Sequence, residues 1–293
     1  MRSVSLLGAA ALLIAAPQAA AATAPATATA RAVTGAAVYA HYDGGYRIDR
    51  HHPPSGWKAL ARLKDSVQFA VSPDGRKVAY VAGSALRVRA DGKVRTVARG
   101  VPGDVPCLTP AWSPDSRRVA YADGTRVRVV GADGRGARVV GRTGGPCHLA
   151  WSPDGRYLAG YAGTTRGVHR LDLRTGKSVK VKGVGLANHV QSLSPGGRYV
   201  VVNALRPDDP GGDGSWPVWF TPTVVDTVTG RRVPIPVRGG RVIGAFYLAD
   251  GRLVARLQGR TANRWAVLDA KGRVSQWLTE PASARERSLL QVL

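Results

Sequence analysis

The sequence predicts an all-β fold: a six-bladed β-propeller of four-stranded antiparallel blades, its ring closed by a C-terminal strand. Three observations carry this. A turn motif, Ser-Pro followed by Asp or Gly, then Gly or Ser, then Arg, starts at Ser72, Ser113, Ser152 and Ser194, at spacings of 41, 39 and 42 residues. A worn copy, Leu248-Ala249-Asp250-Gly251-Arg252, follows 54 residues after Ser194. Short alternating apolar runs flank every copy, and no sustained helical periodicity occurs beyond the N-terminal segment. A strand-rich period near 40 residues is the mark of a ring of small sheets.

The motif itself reads as a tight hairpin. Proline presets φ at the second turn position, Asp tolerates the third, and Gly supplies a left-handed residue after them. Ser116 stands where the other copies have Gly, so that turn is expected to carry the most strain. The Arg that closes each copy (76, 117, 156, 198 and 252) reads as a solvated residue opening the next strand.

In chain order, residues 1–21 have a short basic start, an apolar stretch and an Ala-rich end, the pattern of a secretory signal peptide. The apolar stretch is too short to span a membrane, no Cys lies near its end, and Arg2 stands alone, against lipid anchoring and twin-arginine export. Residues 22–32 are Ala/Thr/Pro-rich and are expected to be a disordered linker, leaving 33–293 as the single propeller domain. Export places the protein outside the cell or at the wall.

Three strands, 36–42, 46–49 and 57–61, come first, with no hairpin motif before them. Four complete strands follow at 66–71, 78–82, 86–89 and 94–97; again at 108–112, 119–122, 126–130 and 137–140; and again at 148–151, 157–161, 168–173 and 178–182. The next unit has 190–193 and 199–205, an insertion at 206–221, then 223–226 and 232–237. The last has 242–248, 253–258, 264–269 and 274–278, and an apolar tail at 288–293 remains. Five complete units, three opening strands and one closing strand make six blades if the tail supplies the innermost strand of the first. Such closure removes an exposed seam.

These repeats resemble those of TolB-type propellers, and in style those of WD-repeat proteins. The resemblance rests on the Ser-Pro-Asp-Gly-Arg hairpins, the Val-Ala-Tyr runs after them and the later Val-x-Asp turns, and it covers nearly all of residues 33–293. It implies the fold and a binding or scaffold role. It points away from the peptidase version of the fold, because no hydrolase domain follows and no Gly-x-Ser-x-Gly elbow occurs. The separate N-terminal domain of TolB itself is not expected here.

The net charge is +23, and 34 of the 42 basic residues are Arg. The Arg residues are spread over every repeat with no run of five, which favours compositional bias over a polyanion site. No aromatic-interleaved basic block marks a nucleic-acid groove. Electrostatic binding of an anionic polymer stays open as an alternative. Cys107 and Cys147, in an exported chain, are expected to pair and to join adjacent blades.

Strand order puts the between-blade connections and the second-to-third-strand loops on one side of the ring. One mouth of the axial channel should therefore carry Cys107, Cys147, His148, Asn188 and His189, roofed by the insertion with Asp208, Asp209, Asp213, Trp216, Trp219 and Phe220. His148 and His189 read as a metal or acid/base pair or as plain polar residues at strand starts. His41, His51 and His52 are lesser candidates. Asp209 and Asp213 read as a calcium loop or a solvated acidic loop, although the spacing lacks the middle acid and the closing Glu. Trp216, Trp219 and Phe220 read as a stacking platform or as a plug of the mouth. Ligand-binding residues are thus expected among His148, Asn188, His189, Asp209, Asp213, Trp216, Trp219 and Phe220. No cofactor, metal or catalytic residue is expected. The leading reading is a monomeric, non-enzymatic binder of a protein, peptide or cell-wall glycan; the alternative is a hydrolase or lyase using the same mouth.

Overall fold

The structure, a computed structural model, describes residues 32–64, 66–209 and 216–293. The signal and linker segments lie outside the described residues except for Ala32, and so does Asp213. Ala32–Leu293 forms one compact unit.

Six four-stranded antiparallel sheets make the ring. Blade 1 holds β1 (Ala37–Tyr42), β2 (Tyr46–His52) and β3 (Gly56–Leu63). Blade 2 holds β4 (Phe69–Val71), β5 (Lys77–Ala82), β6 (Ala85–Ala90) and β7 (Lys93–Arg99). Blade 3 holds β8 (Ala111–Trp112), β9 (Arg118–Asp123), β10 (Arg126–Gly131) and β11 (Arg138–Arg142). Blade 4 holds β12 (Cys147–Trp151), β13 (Tyr157–Tyr161), β14 (Val168–Asp172) and β15 (Ser178–Lys180). Blade 5 holds β16 (Ala187–Leu193), β17 (Tyr199–Ala204), β18 (Pro222–Asp226) and β19 (Arg232–Val233). Blade 6 holds β20 (Val242–Tyr247), β21 (Leu253–Leu257), β22 (Arg264–Leu268) and β23 (Val274–Thr279).

The closing strand β24 (Ser288–Val292) pairs antiparallel with β1, as the strand count predicts: Ala37 faces Val292 and Ala40 faces Ser288. It is the innermost strand of blade 1. One hydrophobic cluster sits between each pair of neighbouring blades, from Val38, Ile48, Phe69 and Val78 between blades 1 and 2 to Tyr39, Val254, Trp265 and Leu289 between blades 6 and 1. The inner strands pack on neighbouring blades from both faces, so β4, β8 and β20 read apolar throughout, while β16 carries Asn188, His189, Gln191 and Ser192.

The hairpin motif is explained atom by atom. Each Ser is buried, and its hydroxyl accepts the N–H of the residue five positions on: Lys77 to Ser72, Arg118 to Ser113, Tyr157 to Ser152 and Tyr199 to Ser194, each at 2.9 Å. The Asp two residues later accepts the following Arg N–H, as in Arg76 to Asp74 at 3.1 Å. Gly75 and Gly155 take φ of 64° and 77°. Ser116 takes φ of 57° without being glycine. Its hydroxyl accepts the Asp74 N–H at 3.0 Å and its carbonyl accepts Lys77 Nζ at 3.0 Å, so the exception ties two neighbouring hairpins together.

Several closing arginines are held rather than simply solvated. Arg156 pairs with Asp172 at 2.9 Å, Arg198 with Asp226 at 2.8 Å and Arg252 with Asp250 at 2.7 Å. Arg198 is the main cause that holds the Asp226 carboxyl down at about 2. Three strands are shorter than the pattern suggests by three residues or more. β19 stops at Val233 because Pro234 and Pro236 donate nothing to a ladder. β8 begins only at Ala111, because residues 105–109 turn back on themselves and Pro110 precedes it. β4 begins at Phe69, three residues later than the apolar run.

Candidate binding site at the axis

The two cysteines pair, with Cα atoms 4.8 Å apart, and both are fully buried. They join the segment before β8 to the start of β12. His148 follows directly, with φ of 46°, and its N–H donates to the Cys107 carbonyl at 2.8 Å. The disulfide thus positions His148 at the axis.

His148 and His189 lie together as the repeat spacing suggests, ring centroids 4.0 Å apart and both buried. They do not line an open mouth. Trp216 sits edge-on against both rings, at 5.6 and 5.0 Å, and packs on Phe69 at 5.9 Å. Its Nε1–H donates to the Phe69 carbonyl at 3.2 Å, and its own carbonyl accepts Ser288 Oγ–H at 2.7 Å. Phe220 is buried against His189 at 5.3 Å. Trp216 therefore touches the inner strands of blades 1, 2, 4 and 5, the first through its carbonyl and the others through its indole, and fills the channel on the connection side.

His189 is held well below its ordinary pKa, first by burial and then by the neighbouring His148, and its Nε2 has no hydrogen-bond partner among the described residues. Tyr161 stacks on His148 from the other side. Among the described residues no group of three or more His, Cys, Asp or Glu side chains could hold a metal ion.

The remaining residues of the expected set disperse. Asn188 accepts from Asn203 Nδ2 at 2.8 Å, and Asn203 in turn accepts the Thr221 N–H at 3.4 Å, which anchors the end of the insertion. Asp209 accepts the Arg206 N–H at 2.7 Å within its own loop. Trp219 is 44% exposed. His41 and His52 are exposed, and His51 packs on Trp57 at 5.0 Å.

The opposite mouth, at the hairpins, leads into a funnel of about 340 Å³ whose floor includes Trp216. Pro73, Pro114 and Pro153 of three hairpin motifs form its rim, with Trp112, Trp151 and Tyr247 below them. Gln191, Ser192 and Gln291 are its polar residues. Ser192 and Gln191 are tied to the blade 6 backbone, Gln191 Oε1 accepting the Ala245 N–H at 2.7 Å. The Tyr247 phenol is pushed up, first by burial and then by Tyr199. No Asp, Glu, Lys, Arg or His side chain lines this funnel, in a chain whose net charge is +23. Such walls suit an apolar, uncharged group held by shape and a few amide contacts.

The sequence reading did not single out the funnel. Its signal was present: Trp112 and Trp151 precede two of the motifs, and three motif prolines crown the same opening. The reading also missed Arg256 and Glu280, a fully buried ion pair at 2.8 Å behind the plug.

No family model and no curated protein matches this sequence. Solved structures do. TolB from Acinetobacter baumannii aligns with a TM-score of 0.56 at 15% identity, covering 88% of this chain and 67% of that one. A structure of a nidogen/laminin complex aligns with a TM-score of 0.53 at 13% identity, covering 88% of this chain and 99% of that one. Hydrazine synthase from Kuenenia stuttgartiensis aligns at 0.50 and 17% identity, covering 85% and 80%. Proteins this different in role share the fold and little else, so function must come from the site. By fold, the chain is a TolB-like six-bladed β-propeller.

Proposed function

We propose that this chain is an exported, non-enzymatic binding module that takes an uncharged apolar segment of a protein or peptide partner into the funnel at the hairpin mouth. One observation carries the reading: a cavity of about 340 Å³, free of charged side chains, open at one end and floored by Trp216 at the other. A volume of that size accommodates a large side chain or a short turn of peptide, not a folded domain. The TolB-like fold supports a protein-binding role, and the buried disulfide together with the signal-like start of the sequence supports export.

Binding to a displayed library of random peptides tests this. Ala150 lines the funnel, so Ala150→Trp fills it without changing charge. Peptides selected by the native protein should share apolar residues and be lost on the Ala150→Trp variant. Loss on Trp219→Ala with retention on Ala150→Trp would move the site to the insertion side and overturn the reading.

A further inference from the structure

Beside the funnel, on the far side of Trp151, a second cavity of about 330 Å³ opens between blades 3 and 4. Four guanidinium-bearing residues line it: Arg118, Arg138, Arg156 and Arg174, with Trp151 as the wall it shares with the funnel and Asp154 at its edge. Only Arg156 has a close partner there, Asp172 at 2.9 Å. The Asp115 carboxylate stands 4.0 Å from Arg118, whose guanidinium lies 5.8 Å from the Trp151 ring centroid. Arg138 and Arg174 make no ion pair among the described residues. Asp154 is occupied by its own hairpin, accepting the Ser152 hydroxyl at 2.6 Å.

Other hairpins carry pairs of the same kind as Arg156 with Asp172. Lys77 meets Asp74 at 2.9 Å, Arg198 meets Asp226 at 2.8 Å and Arg252 meets Asp250 at 2.7 Å. Beyond such a pair, Arg138 and Arg174 also line this cleft with no ion pair among the described residues, and they leave it an excess of positive charge beside the funnel. A long polyanion requires a continuous basic track. A localised excess with a planar aromatic wall suits a discrete carboxylate, which forked guanidinium groups bind through paired, charge-assisted hydrogen bonds.

We propose that the cleft between blades 3 and 4 binds a carboxylate of the partner peptide, so that the partner carries an acidic residue beside the apolar group seated in the funnel. The proposal rests on the funnel reading but has its own residues and its own test.

Calorimetric titration at low salt compares tetraglutamate, tetraglutamine and tripolyphosphate on the full propeller. Tetraglutamate should bind and tetraglutamine should not. Arg138→Gln and Arg174→Gln should each weaken tetraglutamate binding about fivefold, the scale of one half-exposed charge-assisted contact. Arg62→Gln, on the outer strand of blade 1, makes the same change in net charge and should leave binding unaltered. All three side chains are exposed, so the melting temperature should not move. Equal weakening by Arg62→Gln would reduce the effect to overall charge and overturn the site. Binding of tripolyphosphate alone, lost in Arg138→Gln, would overturn the peptide assignment in favour of a phosphate. Ala150→Trp should leave tetraglutamate binding intact while abolishing capture of apolar peptides, so failure of the funnel reading and of the cleft reading give different patterns.

Discussion

Removing Glu280 should destabilise the propeller more than any single surface change, and its neighbours say by how much. The carboxylate is buried and accepts four hydrogen bonds: Arg256 Nε at 2.8 Å and Trp265 Nε1 at 2.6 Å on Oε1, Arg256 Nη2 at 2.8 Å and Asn263 Nδ2 at 3.1 Å on Oε2. The Arg256 guanidinium gives its other hydrogens to the carbonyls of Val218, Ala284 and Arg287. One buried cation thus fixes the root of the insertion and the segment leading into β24. In Glu280→Ala the guanidinium keeps three carbonyls and loses its counter-charge, while two further donors lose their acceptor. Breaking a buried pair from one side costs about 3–5 kcal/mol, a large fraction of the stability of an ordinary domain. The double change Arg256→Met with Glu280→Leu removes both charges, which by itself is often neutral. Here it takes the side-chain donor from the carbonyls of Val218 and Arg287, while that of Ala284 keeps the Arg287 N–H, at about 1–3 kcal/mol for each one left dry, so it should recover only part of the loss. Urea unfolding followed by tryptophan fluorescence reads both. A Glu280→Ala cost below about 1 kcal/mol would refute the argument that this pair locks the ring's closing segment.

Three further perturbations have definite expected outcomes. Replacing both Cys107 and Cys147 by Ala should lower stability by about 4 kcal/mol at most, the entropy of closing a loop across their 40-residue separation; thiol titration should find none even in denaturant, and two once a reductant is added. Stability should fall as pH drops below 6.5, because unfolded His189 then takes up a proton that its buried, depressed folded form refuses. The slope from that group reaches about 1.4 kcal/mol per pH unit; His169, also depressed by burial and by Lys180, adds its own share, so His189→Gln should lessen the slope without abolishing it. Trp216→Ala should cost about 3 kcal/mol as a partly buried large-to-small change and should deepen the funnel, read as increased binding of a hydrophobic dye at the hairpin mouth.

Most of the fold was legible because its determinants are local. Proline, Asp and a left-handed residue in fixed order define a hairpin within five positions, and five such hairpins leave one strand short in a way that only β24 can repair. The disulfide was legible from two cysteines in a chain with an export-type start, and repeat phase added that Cys107 and Cys147 lie near equivalent points of successive units. What local pattern could not give was strand length. Pro234 and Pro236 cut β19 to two residues, and Pro110 with the turns at Val105 and Cys107 cut β8 to two. Nor could it give Ser116 its partner: the left-handed serine is explained by Asp74, on another blade.

The site was legible only as far as repeat phase reaches. Phase brought His148 and His189 to one end of the axis, and they are there, 4.0 Å apart. Whether the Trp-rich insertion opens or closes that end depends on one hydrogen bond from Trp216 to Phe69, 147 residues away in sequence, which composition cannot encode. Charge poses the same problem in reverse. Among 34 arginines, sequence gives no reason to separate Arg256, which is buried and fully paired, from Arg138, which is exposed and unpaired among the described residues. An excess of +23 spread over the chain looks like bias until each cation is matched with its own acid. Pairing then absorbs one cation at several hairpins, Arg156 and Arg198 among them, and leaves Arg138 and Arg174 together in one cleft beside the funnel, a grouping that their number alone does not reveal.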